Sequence, residues 1–144
     1  MASRAAFYDP DQILCYFNGV LVQGFADDEA IAVEPMSDAF EEVVGVDGEV
    51  ARSKSNDRRI KVTVKLLQTS TTNAAFSAIH NTDLNSQNGA GVGAFSLKDL
   101  QGGTIVEGPQ AWIKSMPAAS FARTAKSREW VIIVAVGTRT EGGN

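Results

Sequence analysis

The sequence has few of the residues on which catalytic and metal sites most often depend. Its 144 residues include one cysteine, Cys15, and one histidine, His80. A single cysteine excludes an intrachain disulfide, and a single histidine without a cysteine partner excludes a His-rich zinc site. No apolar run approaches the ~20 residues of a membrane helix, and no apolar signal-peptide core follows Met1. We therefore expect a protein that is kept in a cytoplasm or assembled there into something larger.

Positive charge is also scarce. The chain carries 13 Lys and Arg residues against 17 Asp and Glu residues, for a net charge of -4. Duplex DNA binding needs clustered basic residues that neutralise phosphates. The balance therefore argues against general DNA binding, although it leaves open a surface past which DNA slides without sticking. The length suits one domain with one core, spanning residues 1–144.

Short β-type segments separated by turn signals dominate the chain. Asn18-Gly19 and Asp47-Gly48 each lie between apolar or β-branched runs, which is the strongest short signal for a hairpin. Residues 59–67 alternate between apolar and polar side chains, as in a strand with one buried face. Residues 128–136 are almost continuously apolar and predict a strand that is buried on both faces.

Only one segment has good support as a helix, at about 71–85. Ser70-Thr71-Thr72 offers an N-cap, and Ala75, Phe76 and Ile79 follow with helical spacing. The predicted fold class is mainly β, a β-sandwich or half-barrel with this one helix on the outside. Residues 1–12 are predicted to form an extended arm, and residues 138–144 a flexible polar tail.

A long hairpin loop at about 36–58 stands off this predicted domain. Its side chains are polar on much of both faces, so it has little to contribute to a core. Loops of this length in a compact domain are usually functional or disordered.

The search for chemistry returns no convincing site. Cys15 lies in an apolar strand, and a dyad with His80 is conceivable but has no local support. Residues 89–93 are glycine-rich, but they lack the Lys-Ser/Thr of a P-loop and precede a strand. Asp27-Asp28-Glu29 lacks the wider ligand spacing of a calcium loop. We therefore predict no catalytic residue, no cofactor and no metal, and a protein that is not an enzyme.

Three features are left unexplained by a monomer: the polar hairpin, the doubly apolar last strand and the N-terminal arm. They fit a subunit that completes its burial with neighbouring copies. The alternatives that remain open are a loop-rich monomeric β domain and a monomeric β-barrel that binds a small ligand.

A set of short segments occurs in a fixed order that covers most of residues 8–136. The segments are Tyr8-Asp9-Pro10, Phe17 to Leu21, Gly24-Phe25-Ala26, Val43 to Arg52, Asn56-Asp57-Arg58, Leu66 to Ser70 with Asn73, Lys98-Asp99-Leu100, Ala111-Trp112-Ile113 and Arg128 to Val131. In this order they resemble the tail tube proteins of contractile-tailed bacteriophages, a family of small phage structural proteins.

The resemblance implies a homohexameric ring whose inner sheets join into one continuous β-barrel, with rings stacked into a hollow tube. The loop at about 36–58 would then reach the next ring. The implied inter-ring contacts are Glu41, Glu42, Asp47, Arg52 and Lys54. We also expect Trp130, Ile132 and Val134 of the last strand to bury the intersubunit sheet or the core.

The implied partners are further copies of the chain, the tail sheath protein, the tape measure protein, and the baseplate and tail-terminator proteins. DNA would pass through the lumen without specific binding, and no membrane is involved. The resemblance places the protein in the virion tail, assembled in the host cytoplasm. The tube of a type six secretion system has the same architecture, so the tube of another contractile injection or secretion system is the near alternative.

One feature conflicts with a passive conduit. The strand that is the best candidate for an inward face carries Arg59, Lys61 and Lys65 on its polar side. A strongly positive lumen would hold DNA in place. Either neighbouring carboxylates offset this charge, or the face meets an adjacent ring or subunit.

Overall fold

The computed structural model of the chain describes residues 8–27 and 29–142, which form mainly β-structure with one α-helix. A short 3-10 helix, Pro10–Gln12, comes first. The elements that follow are β1 (Ile13–Phe17), β2 (Val20–Leu21), β3 (Ile31–Pro35), β4 (Phe40–Val44), β5 (Val50–Lys54), β6 (Ile60–Leu67), α1 (Thr72–Leu84), β7 (Gly93–Asp99), β8 (Ile105–Ser115), β9 (Ser127–Val134) and β10 (Thr138–Thr140).

Eight of the strands form one antiparallel sheet in the order β2-β1-β7-β8-β9-β6-β3, with β10 paired to β8 off this path. The long strand β8 joins the two halves, because its first part pairs with β7 and β10 and its second part with β9. The path ends at β2 and β3 and does not close. The predicted β-sandwich with one helix is confirmed, whereas a closed β-barrel within the described part of one chain is not formed.

The alternation in β6 determines where the core lies. Ile60, Val62, Val64 and Leu66 are buried, and the residues between them are partly exposed. Each fully buried aliphatic side chain of this kind contributes about 1.5–3 kcal/mol relative to an exposed one. The β6 row packs with buried residues of β1, β7, β8 and β9 in one apolar cluster.

Helix α1 covers this cluster, within one residue of each predicted end. Phe76 is fully buried, and its ring meets Phe17 and Trp130 edge to face at centroid distances of 5.7 and 5.4 Å. The indole Nε1 of Trp130 donates a hydrogen bond of 2.9 Å to Oδ1 of Asn73. Phe76 therefore joins the helix to β1 and to β9, which belong to different halves of the sheet.

The two ends of the chain differ from the sequence-based expectation. Residues 1–7 of the predicted arm lie outside the described residues, and Pro10–Gln12 is helical rather than extended. Within the tail predicted to be flexible, Thr138–Thr140 forms β10, which pairs with β8, and the amide of Gly142 donates to Oγ1 of Thr104 at 3.0 Å; flexibility of the tail stays a prediction. β10 can form because β9 pairs with the second part of β8 and leaves the same edge of its first part available.

We predict that Phe76→Ala destabilises the subunit by about 3–5 kcal/mol, because it removes a fully buried ring from between two others. Leu84→Ala on the same helix is the matched control, since Leu84 is 68% exposed and a surface change of this kind stays within about 0.5 kcal/mol. Urea unfolding of the two variants measures the difference, and equal losses would contradict the packing described.

Candidate assembly surfaces

Strands β4 and β5 form a hairpin that pairs with no other strand of the described structure. Its register places Glu42 opposite Arg52 and Val44 opposite Val50. The predicted Asp47-Gly48 turn is present: Gly48 has a φ of +87°, which favours glycine, and Oδ1 of Asp47 accepts a 3.1 Å hydrogen bond from the amide of Glu49. Every residue of both strands is exposed.

The five residues predicted to contact another ring all lie on this hairpin. They are Glu41, Glu42, Asp47, Arg52 and Lys54. Arg52 also places its guanidinium 4.4 Å from the centre of the Phe40 ring, a cation–π contact that holds the charge on one face. Contact with another ring stays a prediction.

Sequence reading missed an apolar group at the distal end of the hairpin. Val43, Val44, Val46 and Val50 are between 61% and 112% exposed relative to a free residue. Isolated two-stranded hairpins are marginally stable in water, and clustered exposed apolar side chains are typical of interaction sites. These valines flank the Asp47-Gly48 turn in the sequence, and that pattern could have indicated an exposed apolar group.

The base of the hairpin is fixed by an exposed ion pair. Nη2 of Arg59 lies 2.8 Å from Oδ2 of Asp57, and Nε of Arg59 donates to Oδ1 at 2.9 Å. Ser37 donates a further hydrogen bond of 3.1 Å to the same carboxylate. These hydrogen bonds, first those from Arg59, hold the pKa of Asp57 well below its usual range.

The basic row of β6 has acidic neighbours. Arg59 pairs with Asp57, and Nζ of Lys61 lies 3.6 Å from Oε1 of Glu34. Lys65 stands opposite Glu129 in the β6–β9 register. Exposed ion pairs of this kind contribute little to stability, but each basic side chain of the row has a carboxylate nearby, which supports the first of the two alternatives given above, offset by neighbouring carboxylates.

The last predicted group, Trp130, Ile132 and Val134, is buried in the subunit's own core. Ile132 pairs with Val62 on one side and Ile113 on the other, so β9 has no free edge there with which to join a neighbour's sheet. The structure therefore shows these three residues in the core of the subunit, whereas their contact with another subunit stays a prediction. A change such as Val134→Asp would bury an unpaired charge inside the subunit.

The edges that are free belong to other strands. Among residues 8–27 and 29–142, β3 pairs only with β6, and β2 has two residues and pairs only with β1. Their outer backbone groups can pair with another chain, which native proteins normally prevent or use.

The described residues show no arrangement suited to covalent or metal chemistry. Cys15 is buried, and desolvation raises the pKa of its thiol to about 12, the opposite of a reactive thiolate. No hydrogen bond joins it to His80, whose Nδ1 is buried without a partner. Within residues 8–27 and 29–142, no three metal-ligating side chains cluster, and no helix has the length and apolarity to cross a membrane.

Comparison with known proteins gives a consistent result. The family described as the bacteriophage PhiTE tail tube protein has a model that matches residues 15–138. A structural protein of Pseudomonas phage KPP10, ORF10, is 29% identical over 150 residues, covering all of this chain and 87% of that protein. The cap that terminates the tube of the anti-feeding prophage aligns with a TM-score of 0.60 over 98% of this chain and 97% of that one. At 8% identity, this last likeness concerns the fold alone.

We predict that Arg59→Gln raises the pKa of Asp57 toward its ordinary 3.8. Since the folded-state pKa is depressed, the Asp57 contribution to stability is present above about pH 4 and is lost as the pH falls through the folded-state pKa. A carbon-detected NMR titration of the Asp57 carboxyl measures the midpoint. Unchanged titration in the variant would contradict the assigned cause.

We also predict that Cys15 does not react with a thiol reagent at pH 8 in the folded protein, since its thiol is both buried and protonated. The same reagent should modify it within minutes in 6 M guanidinium, which serves as the internal control. Rapid modification of the native protein would show that the strand opens or that the thiol is ionised.

Proposed function

Since this chain belongs to the bacteriophage PhiTE tail tube protein family and is a structural protein of the virion, we propose that its copies form stacked hexameric rings. The stack is a hollow conduit, inside a contractile sheath, through which DNA is ejected. The observation that carries this proposal is the open sheet, whose edges at β2 and β3 are unpaired in the part of the chain that the structure describes.

Ring closure gives those edges a partner. Copies related by rotation place the β3 edge of one subunit beside the β2–β1 edge of the next, in a head-to-tail contact that closes on itself. The inner sheets then form one barrel that no single subunit could close. Stacking along the axis is open-ended and produces a tube.

The β4–β5 hairpin supplies the stacking contact. Its distal valines lose exposed apolar surface when a second ring covers them, at roughly 25 cal/mol per Å². Glu41, Glu42, Asp47, Arg52 and Lys54 surround them and set the register through charge.

The face of β3, β6 and β9 that carries Glu34, Lys61, Lys65 and Glu129 lines the lumen in this proposal, and Val131 and Ile133 of β9 lie on the same face. Its lysines stand beside Glu34 and Glu129, so DNA meets a surface with little net charge and slides. The tube has no catalytic step, in keeping with a thiol whose pKa lies far above neutral. Its partners are the sheath, the tape measure protein, and the baseplate and tail-terminator proteins.

A tube of another contractile injection system is the second candidate. The fold shared with the cap of the anti-feeding prophage favours it. The two candidates differ in what passes through the lumen, and copurification of the tube with DNA-filled phage particles separates them.

The test is to purify the chain alone and examine it by size-exclusion chromatography with light scattering and by negative-stain electron microscopy. We expect rings or hollow tubes as the concentration rises. A monomer that stays monomeric even with tail-tip components added would contradict the proposal.

Hairpin variants then test stacking. Val44→Ser with Val46→Ser should leave the melting temperature unchanged and stop growth at single rings, because only exposed apolar surface is removed. Leu84→Ser on α1, where Leu84 is 68% exposed against 63% for Val44, is the control and should still form tubes. If deletion of residues 45–50 leaves tube length unchanged, the hairpin does not stack rings.

A further inference from the structure

The connection between β8 and β9 is an exposed loop that presents an aromatic side chain. Phe121, near the middle of residues 116–126, is 82% exposed. Arg123 and Lys126 are exposed beside it, and the loop contains no acidic residue. An exposed aromatic ring flanked by basic side chains resembles the centre of a protein interface more than an ordinary surface loop.

The subunit holds this loop in a defined shape. Arg128 is buried, its Nη2 donates a hydrogen bond of 3.0 Å to the carbonyl of Ser120, and its guanidinium lies 5.5 Å from the Phe121 ring. Gln68 fixes the other end through two 3.0 Å hydrogen bonds to the backbone of Lys126. Burying a guanidinium costs desolvation free energy. Within the described residues, the guanidinium of Arg128 donates hydrogen bonds to the carbonyl of Ser120 in the loop and to that of Ser127 in β9.

A groove of about 630 Å³ lies where the sheet fails to close, between β3 on one side and β1 and β7 on the other. We name it the β1–β3 groove. Its apolar lining includes Ile13, Phe25, Ile31, Val33 and Leu97, together with Tyr8 from the N-terminal segment. Asp27 and Glu29, both exposed, add negative charge to its lining.

The loop and the groove are complementary and are formed by different segments of the chain. The groove is apolar with acidic side chains, and the loop offers an apolar ring with basic side chains. They share no residue, and β6 lies between the β3 wall of the groove and the β9 strand that the loop enters. Two such surfaces on one molecule make a head-to-tail contact that repeats from copy to copy.

We propose that the 116–126 loop of one copy docks in the β1–β3 groove of a second copy. Phe121 enters the apolar groove, while Arg123 and Lys126 face Asp27 and Glu29. The contact rests on the self-assembly proposed above and specifies one of its interfaces. The hairpin tip is a poorer occupant, because Asp47 and Glu49 would meet the groove's carboxylates with like charge.

Charge reversal tests the pairing. Arg123→Glu with Lys126→Glu, and separately Asp27→Lys with Glu29→Lys, should each raise the concentration for half-assembly about tenfold, the effect of ~1.4 kcal/mol. All four changes in one chain should restore assembly to within about threefold, because the pairing is kept with its signs exchanged. Glu107→Lys on β8, exposed and outside both surfaces, is the control and should assemble as the native chain does.

Cross-linking tests the geometry. A mixture of Ala122→Cys chains, which keep the Phe121 ring, and Glu29→Cys chains should form a disulfide-linked dimer on mild oxidation, while the buried Cys15 does not react. Ala122→Cys mixed with Leu84→Cys is the negative control. The yield should rise with the fraction of protein in rings, and 1 M salt should lower it.

The outcomes separate this inference from the proposed function. Rings without the dimer, and without an effect of charge reversal, overturn the loop–groove contact and leave the ring standing. A chain that neither assembles nor cross-links overturns both. The N-terminal segment of the same chain is the other possible occupant of the groove. A chain that carries both Arg4→Cys and Glu29→Cys and forms an intramolecular disulfide, while the mixture of variants gives no dimer, would assign the groove to that segment and overturn the loop–groove contact.

Discussion

The edge-to-face contact of Phe76 with Phe17 and Trp130 is the interaction on which the rest of the structure depends. It joins α1 to strands from both halves of one curled sheet, so the apolar interior is covered by a helix rather than by closure of the strands. Because the helix does this covering, the sheet edges at β2 and β3 do not have to meet. A subunit whose core is covered while its sheet edges stay open can have its sheet extended by strands of another copy.

The parts of the fold that the sequence predicts are those determined by neighbours along the chain. The alternation of β6, the span of α1 and the Asp47-Gly48 turn follow from side-chain period and backbone preference, which are local. Strand β10 was not predictable, because it exists only where β9 leaves part of β8 unpaired. Likewise, the acidic partners of Lys61 and Lys65 come from strands distant in sequence.

The candidate surfaces show the same division. Sequence reading located the hairpin and its charges but gave the distal valines no role, since an apolar residue normally predicts a core position. It assigned Trp130, Ile132 and Val134 partly to an interface, because a doubly apolar strand is equally typical of the middle of a sheet. The groove leaves no local signature, since it is defined by residues that only the fold brings together. The composition of the 116–126 loop is visible in the sequence, but its exposure and its anchoring by Arg128 are not.

The exposed hairpin has a consequence for how a tube would grow. A two-stranded ribbon without a covered face is only marginally stable in water, so docking onto a neighbour would order it as well as bury it. The binding free energy between two free subunits would therefore be smaller than that between a free subunit and a completed ring, in which several hairpins are already ordered. Growth of this kind has a lag, proceeds from existing ends, and leaves the final length to be decided by some other component of the particle.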